Sequence, residues 1–214
     1  FGEDVLGDIK LVAKYNVLDQ EKLRLTSQAD VTLATGEDAD VNEVVDVASG
    51  DDQTDLGLGL SVDYLLTPEI TLSSTASYTW QLADENAERI PEVSYSKATP
   101  DLDMNTSRDL GNVANLQVAG MWSYKGFNLG AGYSYQNKEK DTYSGSLYSE
   151  QRYDWLEKDT DQEMQSLQLT AGVDTIYLFK KKAFPAPLKV MVSYTNVLSG
   201  KNVVKDPLYA LDFN

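Results

Sequence analysis

The sequence predicts an all-β protein, a transmembrane up-and-down antiparallel β-barrel, on three observations. Apolar and polar residues alternate with period two over many segments, short and long connections strictly alternate, and aromatic residues gather at the ends of the apolar faces. Side chains of a strand point to opposite faces in turn, so period-two alternation marks a strand with one apolar and one polar side. No stretch of the 214 residues approaches the ~20 consecutive apolar residues of a membrane-spanning helix. A barrel escapes that test, because its inward-facing polar residues dilute the hydropathy.

Taken in order, the first strand is read over 8–17, with Ile9, Leu11, Ala13, Tyr15 and Val17 opposite Asp8, Lys10, Lys14 and Asn16. The second spans 22–34, with Leu23, Leu25, Ala29, Val31 and Leu33 opposite Lys22, Arg24, Thr26, Gln28, Asp30 and Thr32. Residues 54–66 and 70–82 form a hairpin about Thr67-Pro68-Glu69, a connection rich in turn formers. A further hairpin joins 112–124 to 127–136 around Lys125-Gly126, and another joins 166–179 to 188–197 around the run KKKAFPAP. A last run, LYALDFN, reaches Asn214. These make nine strands in one barrel domain over 1–214. Bacterial single-chain barrels close with an even number, so one or three strands are expected before Phe1, giving 10 or 12. The chain starts without an initiator Met or an apolar leader, and a signal peptide is expected upstream.

Short turns near 18–21, 67–69, 125–126 and 180–187 alternate with long polar segments at 36–53, 84–111, 137–163 and 199–206. An up-and-down barrel sorts its connections this way, with short periplasmic turns on one rim and longer outer loops on the other. With the turns at one rim, Tyr15, Tyr64, Trp122, Tyr124, Phe127 and Tyr177 mark one border of the apolar band. Tyr78, Trp80, Tyr133, Tyr135 and Tyr194 mark the other. Two aromatic girdles around an aliphatic middle suit a bilayer with two interfaces. A soluble barrel, the competing reading, turns its apolar face inward, where rings at two heights crowd the interior.

The polar faces predict the wall of the lumen. Lys10, Lys14, Arg24, Gln28, Asp30, Asp55 and Asp63 come from the first three strands. Asn115, Gln117, Asn128, Gln136, Gln168, Asp174, Lys189 and Asp212 come from the rest. Mixed charges with small residues such as Gly57, Gly59, Ser61, Gly130 and Gly132 fit a narrow channel with charged constrictions. They equally fit a filled barrel whose charges neutralise one another.

The long loops are acidic. Segment 36–55 carries Glu37, Asp38, Asp40, Glu43, Asp46, Asp51, Asp52 and Asp55 with no Lys or Arg. Asp38-x-Asp40-x-Asn42, Asp101-x-Asp103-x-Asn105 and Asp159-x-Asp161-x-Glu163 offer close-set oxygens of the kind Ca²⁺ or Mg²⁺ takes. They lack the Gly and Glu positions of an EF-hand, and solvated acidic loops account for them without an ion. Lys125 and Lys180 to Lys182 fall at turns, within reach of anionic lipid head groups.

Composition excludes several functions. The chain has no histidine and no cysteine, so neither Ser-His nor Cys-His nucleophilic catalysis is available, nor disulfides. A net charge of −16 opposes nucleic-acid binding. Asp30 and Asp63 could do acid–base work in principle, but nothing in their spacing selects it, and no catalytic residue or organic cofactor is assigned.

The segments GDIKLVAKY (7–15), ADVTLATGEDAD (29–40), GDDQTDLGLGLSVDYLL (50–66) and ASYTW (76–80) resemble the outer-membrane transporter family named after the meta pathway of phenol degradation. The resemblance covers about residues 7–82, and the turn here reads Ala34-Thr35-Gly36-Glu37 where the family more often has Pro before Thr-Gly-Asp. It implies a barrel of about a dozen strands and passage of small, often apolar or aromatic molecules. The expected protein is a passive channel in the outer membrane of a Gram-negative bacterium, with lipid and a small solute as partners. The alternative is a filled barrel that anchors an envelope protein, or a second copy of itself, through its acidic loops.

Overall fold

The computed structural model describes residues 6–42, 48–94 and 101–213. Glu43, Asp46 and Asn214 lie outside the described residues. Among the described residues twelve strands and two short helices follow one another as β1 Ile9–Asp19, β2 Leu23–Leu33, β3 Asp55–Thr67, β4 Ile70–Gln81, β5 Asp84–Arg89, β6 Leu102–Asp109, β7 Val113–Tyr124, β8 Phe127–Lys138, β9 Thr142–Ser144, α1 Glu150–Asp154, β10 Gln162–Asp174, α2 Ile176–Lys180, β11 Lys189–Lys201 and β12 Leu208–Phe213.

Nine of these form one antiparallel sheet in the order β1-β2-β3-β4-β7-β8-β10-β11-β12, every member beside its neighbour in the chain of barrel strands. This is the up-and-down meander the alternating connections predict. The other three strands, β5, β6 and β9, form a separate sheet built from the long connections. Two of the expected loops, 84–111 and 137–163, therefore hold folded structure. A third difference lies at the last short turn. The strand expected over 166–179 runs over Gln162–Asp174, and Ile176–Lys180 is helical. The apolar run IYLF suits either state, and its ends decide. Asp174 Oδ1 accepts the Ile176 N–H at 3.1 Å, and the Phe179 N–H donates to the Thr175 carbonyl at 2.7 Å. Tyr177 accordingly sits on α2 and not on a strand.

The tight turns follow local chemistry. Lys125 (φ 49°) and Gly126 (φ 92°) form the two-residue link of β7 and β8, the positive-φ pair that matches the twist of a hairpin. A Cβ on Gly126 would approach the Asp174 carbonyl to 2.3 Å, so this position needs glycine on both counts. Between β3 and β4, Thr67 Oγ1 accepts the N–H groups of Glu69 and Ile70 at 3.2 and 3.1 Å. A threonine hydroxyl thus closes the turn.

The placement of apolar residues is inverted relative to a soluble protein. The buried apolar cluster consists of Ile90 (0% exposed), Tyr153 (1%) and Leu156, with Tyr143 and Tyr148 packed against it, and all lie in the long connections. The nine-stranded sheet instead leaves its aliphatic residues open. Leu58 is 54% exposed, Leu116 42% and Leu129 54%, while Ser166 and Asn128 on the polar side are buried. Contiguous apolar surface on this scale is untenable in water and is the expected coat of a barrel in lipid. Among the described residues no helix is long and apolar enough to cross a membrane.

Candidate functional site

The strand register gathers the polar residues on one wall. Gln28 pairs with Gly59, Gly59 with Ser77, Ser77 with Asn115, Asn115 with Gln136 and Gln136 with Met164. Opposed residues in adjacent strands share a face, so this row runs across six strands on one side. Lys10, Lys14, Arg24, Asp30, Asp55, Asp63, Gln117, Asn128, Gln168, Asp174, Lys189 and Asp212 occupy parallel positions on that side.

The wall has two sectors. Strands β1 to β3 carry most of its charges, with Asp174, Lys189 and Asp212 on β10 to β12. Lys10 Nζ lies 2.8 Å from Asp30 Oδ2, and Gln28 donates to Asp30 Oδ1 at 3.0 Å. Gly57 makes room for that carboxylate, since a Cβ there would meet Asp30 Oδ2 at 2.3 Å. Arg24, although opposite Asp63 in register, turns to Asp19 at 3.2 Å, and Asp63 accepts the Ser73 hydroxyl at 2.5 Å. Lys14 lies opposite Gln28.

From β4 to β11 the wall is neutral over most of its height. Ser61 and Thr75 share a hydrogen bond of 3.0 Å, and Ser134 and Ser166 one of 2.6 Å. Gln117, Ser134, Ser166, Gln168 and Thr195 line a concavity of about 120 Å³ around Gly132. At the turn end, Asn128 accepts the Ser123 hydroxyl at 2.7 Å and donates to Asp174 at 3.4 Å. There Met121 and Met191 lie over Gly130 and Gly172, where added Cβ atoms would meet their sulfur-bearing ends.

On the opposite face the aromatic residues pair. Tyr78 and Trp80 meet edge-on with centroids 4.8 Å apart, and Trp122 stacks on Tyr124 at 6.0 Å. Tyr194 packs on Tyr209 at 5.1 Å. Tyr133 donates to Gln165 at 3.2 Å, Tyr135 lies opposite Leu116, Tyr64 opposite Leu72, and Tyr15 is exposed. An apolar ring with a hydrogen-bonding tip suits an interface.

Arginines organise the folded connections. Arg108 on β6 is 4% exposed. Its guanidinium donates to both carboxylate oxygens of Asp84 on β5 at 3.0 and 2.6 Å, to Asp38 at 3.2 Å and to the Asp51 carbonyl at 2.6 Å. Glu88 lies 3.9 Å away. Burial alone would lower the Arg108 pKa, but the hydrogen bond and charge of Asp84, with Asp38 and Glu88, hold it above its ordinary value. One side chain thus ties segment 36–53 to the β5–β6 pair. Arg152 on α1 ties the third connection to the second. It donates to the carbonyls of Pro91 and Ile90 at 2.7 and 2.6 Å and to Asp101 at 2.9 Å, and stacks on Tyr148. The buried Tyr153 hydroxyl donates to Asp103, and burial followed by that bond raises its pKa.

Five carboxylates of the expected calcium motifs have other partners. Asp38 accepts from Arg108 and Asn86, Asp101 from Arg152, and Asp103 from Tyr153 and the Asn105 N–H. Asp40 accepts the backbone and side-chain N–H groups of Asn42, both at 2.8 Å. Asp161 pairs with Lys201. Among the described residues no three acidic side chains gather as a metal cluster. Sequence reasoning passed over Arg108, Arg152, Asp84 and Tyr153. The signal available was that three of the four arginines, Arg89, Arg108 and Arg152, fall in otherwise acidic connections.

Asp8 anchors the first connection to β1. It accepts the N–H groups of Gly36 at 2.8 Å, Thr35 at 3.1 Å and Asp51 at 3.3 Å. The Gly36 bond is the largest influence, and the set holds the Asp8 pKa below its ordinary 3.8 against a smaller opposing effect of burial. A depressed folded pKa stabilises above the unfolded value and is lost as pH falls through the folded one. Acidification below about pH 4 is therefore expected to loosen residues 36–42 and 48–53. Protease sensitivity across pH measures it, and Asp8→Asn should show the loosened pattern already at pH 7.

A sequence profile for the MetA-pathway of phenol degradation family matches residues 2–184. No curated protein matches the chain in sequence. In structure the chain is similar to the crystal structure of an outer membrane channel from Pseudomonas putida F1, with a TM-score of 0.61 at 14% identity. The match covers 98% of this chain and 64% of that one, so the chain spans less than two thirds of the channel's length. The likeness to that channel agrees with the barrel wall and the apolar outer face in giving the fold of an outer-membrane β-barrel, and by its profile match the chain belongs to the MetA-pathway of phenol degradation family.

Proposed function

We propose that the protein is a passive outer-membrane channel for small solutes, with the folded connections as a cap on its outer mouth. The observation that carries this reading is the two-sector wall. Its charged sector spans β1 to β3, and its amide and hydroxyl sector, open at Gly132, spans β4 to β11 beyond Asp174 and Lys189 at the turn end. Diffusion along such a wall needs no catalytic group, and the chain has no histidine to supply one. The charged sector would set ion preference, while the neutral sector would let small, weakly polar or aromatic molecules slide past hydroxyl and amide groups. The fold likeness to an outer membrane channel and the family's association with phenol degradation support this class of solute.

Planar-bilayer recording on the full-length protein tests the reading. Discrete conductance steps are expected, with Gln117→Arg shifting the ion preference towards anions. Met121 and Met191, which fill part of the turn end of the wall, favour the filled-barrel reading instead. Absence of both conductance and solute flux in liposomes would establish that reading and end the channel proposal.

A further inference from the structure

At the loop end of β3 and β4, Asp55 and Gln81 face each other across the pair. Gln53 lies two residues ahead of Asp55 and is 0% exposed. Its amide nitrogen donates to the carbonyl of Leu82, the residue after Gln81. That bond fixes which end of the Gln53 amide is oxygen and holds the group beside the end of β4. Gln53 Oε1, Asp55 Oδ1 and Gln81 Oε1 are all buried without a hydrogen-bond donor. An acceptor buried without a donor is costly, and three of them on neighbouring positions of one strand end call for a partner. A single water donates two hydrogens and leaves one acceptor unmet. A cation has no such limit.

The chemistry and charge of the place agree. One carboxylate and two amide oxygens are hard donors of the kind calcium takes. Asp51, Asp8 and Asp30 act electrostatically on Asp55, and Lys10 opposes them. Beyond lies Arg108, already met by Asp38, Asp84 and Glu88. Carboxylates thus crowd the loop end of β3. We propose that Gln53, Asp55 and Gln81 form a binding site for a hard cation of the calcium class, joining the end of the wall to the base of the cap. The site is distinct from the Asp-x-Asp motifs of the loops, and it does not depend on the channel reading. With one carboxylate it belongs to the weak class, with a Kd of about 10⁻⁴–10⁻³ M.

Calorimetric titration of Ca²⁺ into the full-length protein tests it, after chelator washing, in detergent with NaCl near physiological strength. Saturable binding is expected. Asp55→Asn should weaken it at least tenfold, and Gln53→Leu should weaken it as well. Asp159→Asn, in an exposed loop, should leave it unchanged. Gln81→Glu adds a charge to the same site and should tighten binding several-fold, which keeps a readout should Asp55→Asn fail to fold. Heat-dependent migration on gels reports that each variant forms its barrel. Absence of saturable binding, binding erased by the added salt, or equal binding by the Asp55→Asn and Gln81→Glu proteins would overturn the proposal.

Discussion

Replacing Arg108 by Ala is expected to release the cap while leaving the barrel intact. The guanidinium is almost fully buried and answers Asp84, Asp38 and Glu88 together with the Asp51 carbonyl. Removing one partner of a buried ion pair leaves the other charges desolvated and unmatched, a loss of roughly 3–5 kcal/mol. The other supports of the cap are the small apolar cluster of Ile90, Tyr153 and Leu156, the contacts of Arg152 and the β5-β6-β9 sheet. Hydrogen exchange over residues 84–94 and 101–109 should speed up, and a protease should cut there, while heat-dependent gel migration of the barrel stays as in the parent. Protection of those segments at the parental level in the Arg108→Ala protein would mean that the ion pairs do not hold the cap. If the cap limits passage, the same variant should also raise conductance.

The second large effect separates the two faces of one strand. Val118 and Gln117 are consecutive on β7 and lie near the same depth, but on opposite sides of the sheet. Val118→Arg places a charge on the exposed apolar face, which costs ~2–4 kcal/mol near the middle of a bilayer. Its folding equilibrium in lipid, followed by denaturant titration of tryptophan emission, should shift by about that amount. Gln117→Arg meets the polar wall and should leave stability within about 1 kcal/mol, because the charge reaches water there. Equal costs at the two positions would contradict the assignment of faces.

The barrel strands were legible because burial on a single side imprints period two, and a one-residue slip would turn every leucine to the wrong side. Leu56 to Tyr64 and Ile70 to Leu82 carry that imprint without a break except at Ser74, and β3 and β4 fall where it places them. The cap left no such imprint. DENAER and LDMNTSRD, the sequences of β5 and β6, are polar on both sides. Their cohesion comes from arginine contacts between distant residues, such as Arg108 with Asp38, 70 positions away, which no local pattern announces. The sequence of α2 reads as the end of a strand because a four-residue apolar run has no period of its own, and the helix takes Tyr177 off the aromatic border of the apolar face. The polar positions were legible as one face, whereas their partners were not. Arg24 with Asp19 in place of Asp63 is a choice made by side-chain reach, not by register.

The apolar side of the nine-stranded sheet is expected to meet lipid, and its polar side to meet water inside the protein. The sequence contains no cysteine, so single substitutions give unique labelling sites. Leu60→Cys and Val118→Cys on the apolar face, with Ser61→Cys and Gln117→Cys on the polar face, can be challenged in proteoliposomes with a water-soluble maleimide. The same residues, labelled beforehand with a fluorophore, can be challenged with nitroxide-bearing lipid. Residues 61 and 117 are predicted to react with the maleimide and to escape lipid quenching, while residues 60 and 118 resist the maleimide and are quenched. The reverse pattern, with 60 and 118 open to the aqueous reagent and 61 and 117 quenched by lipid, would contradict the account.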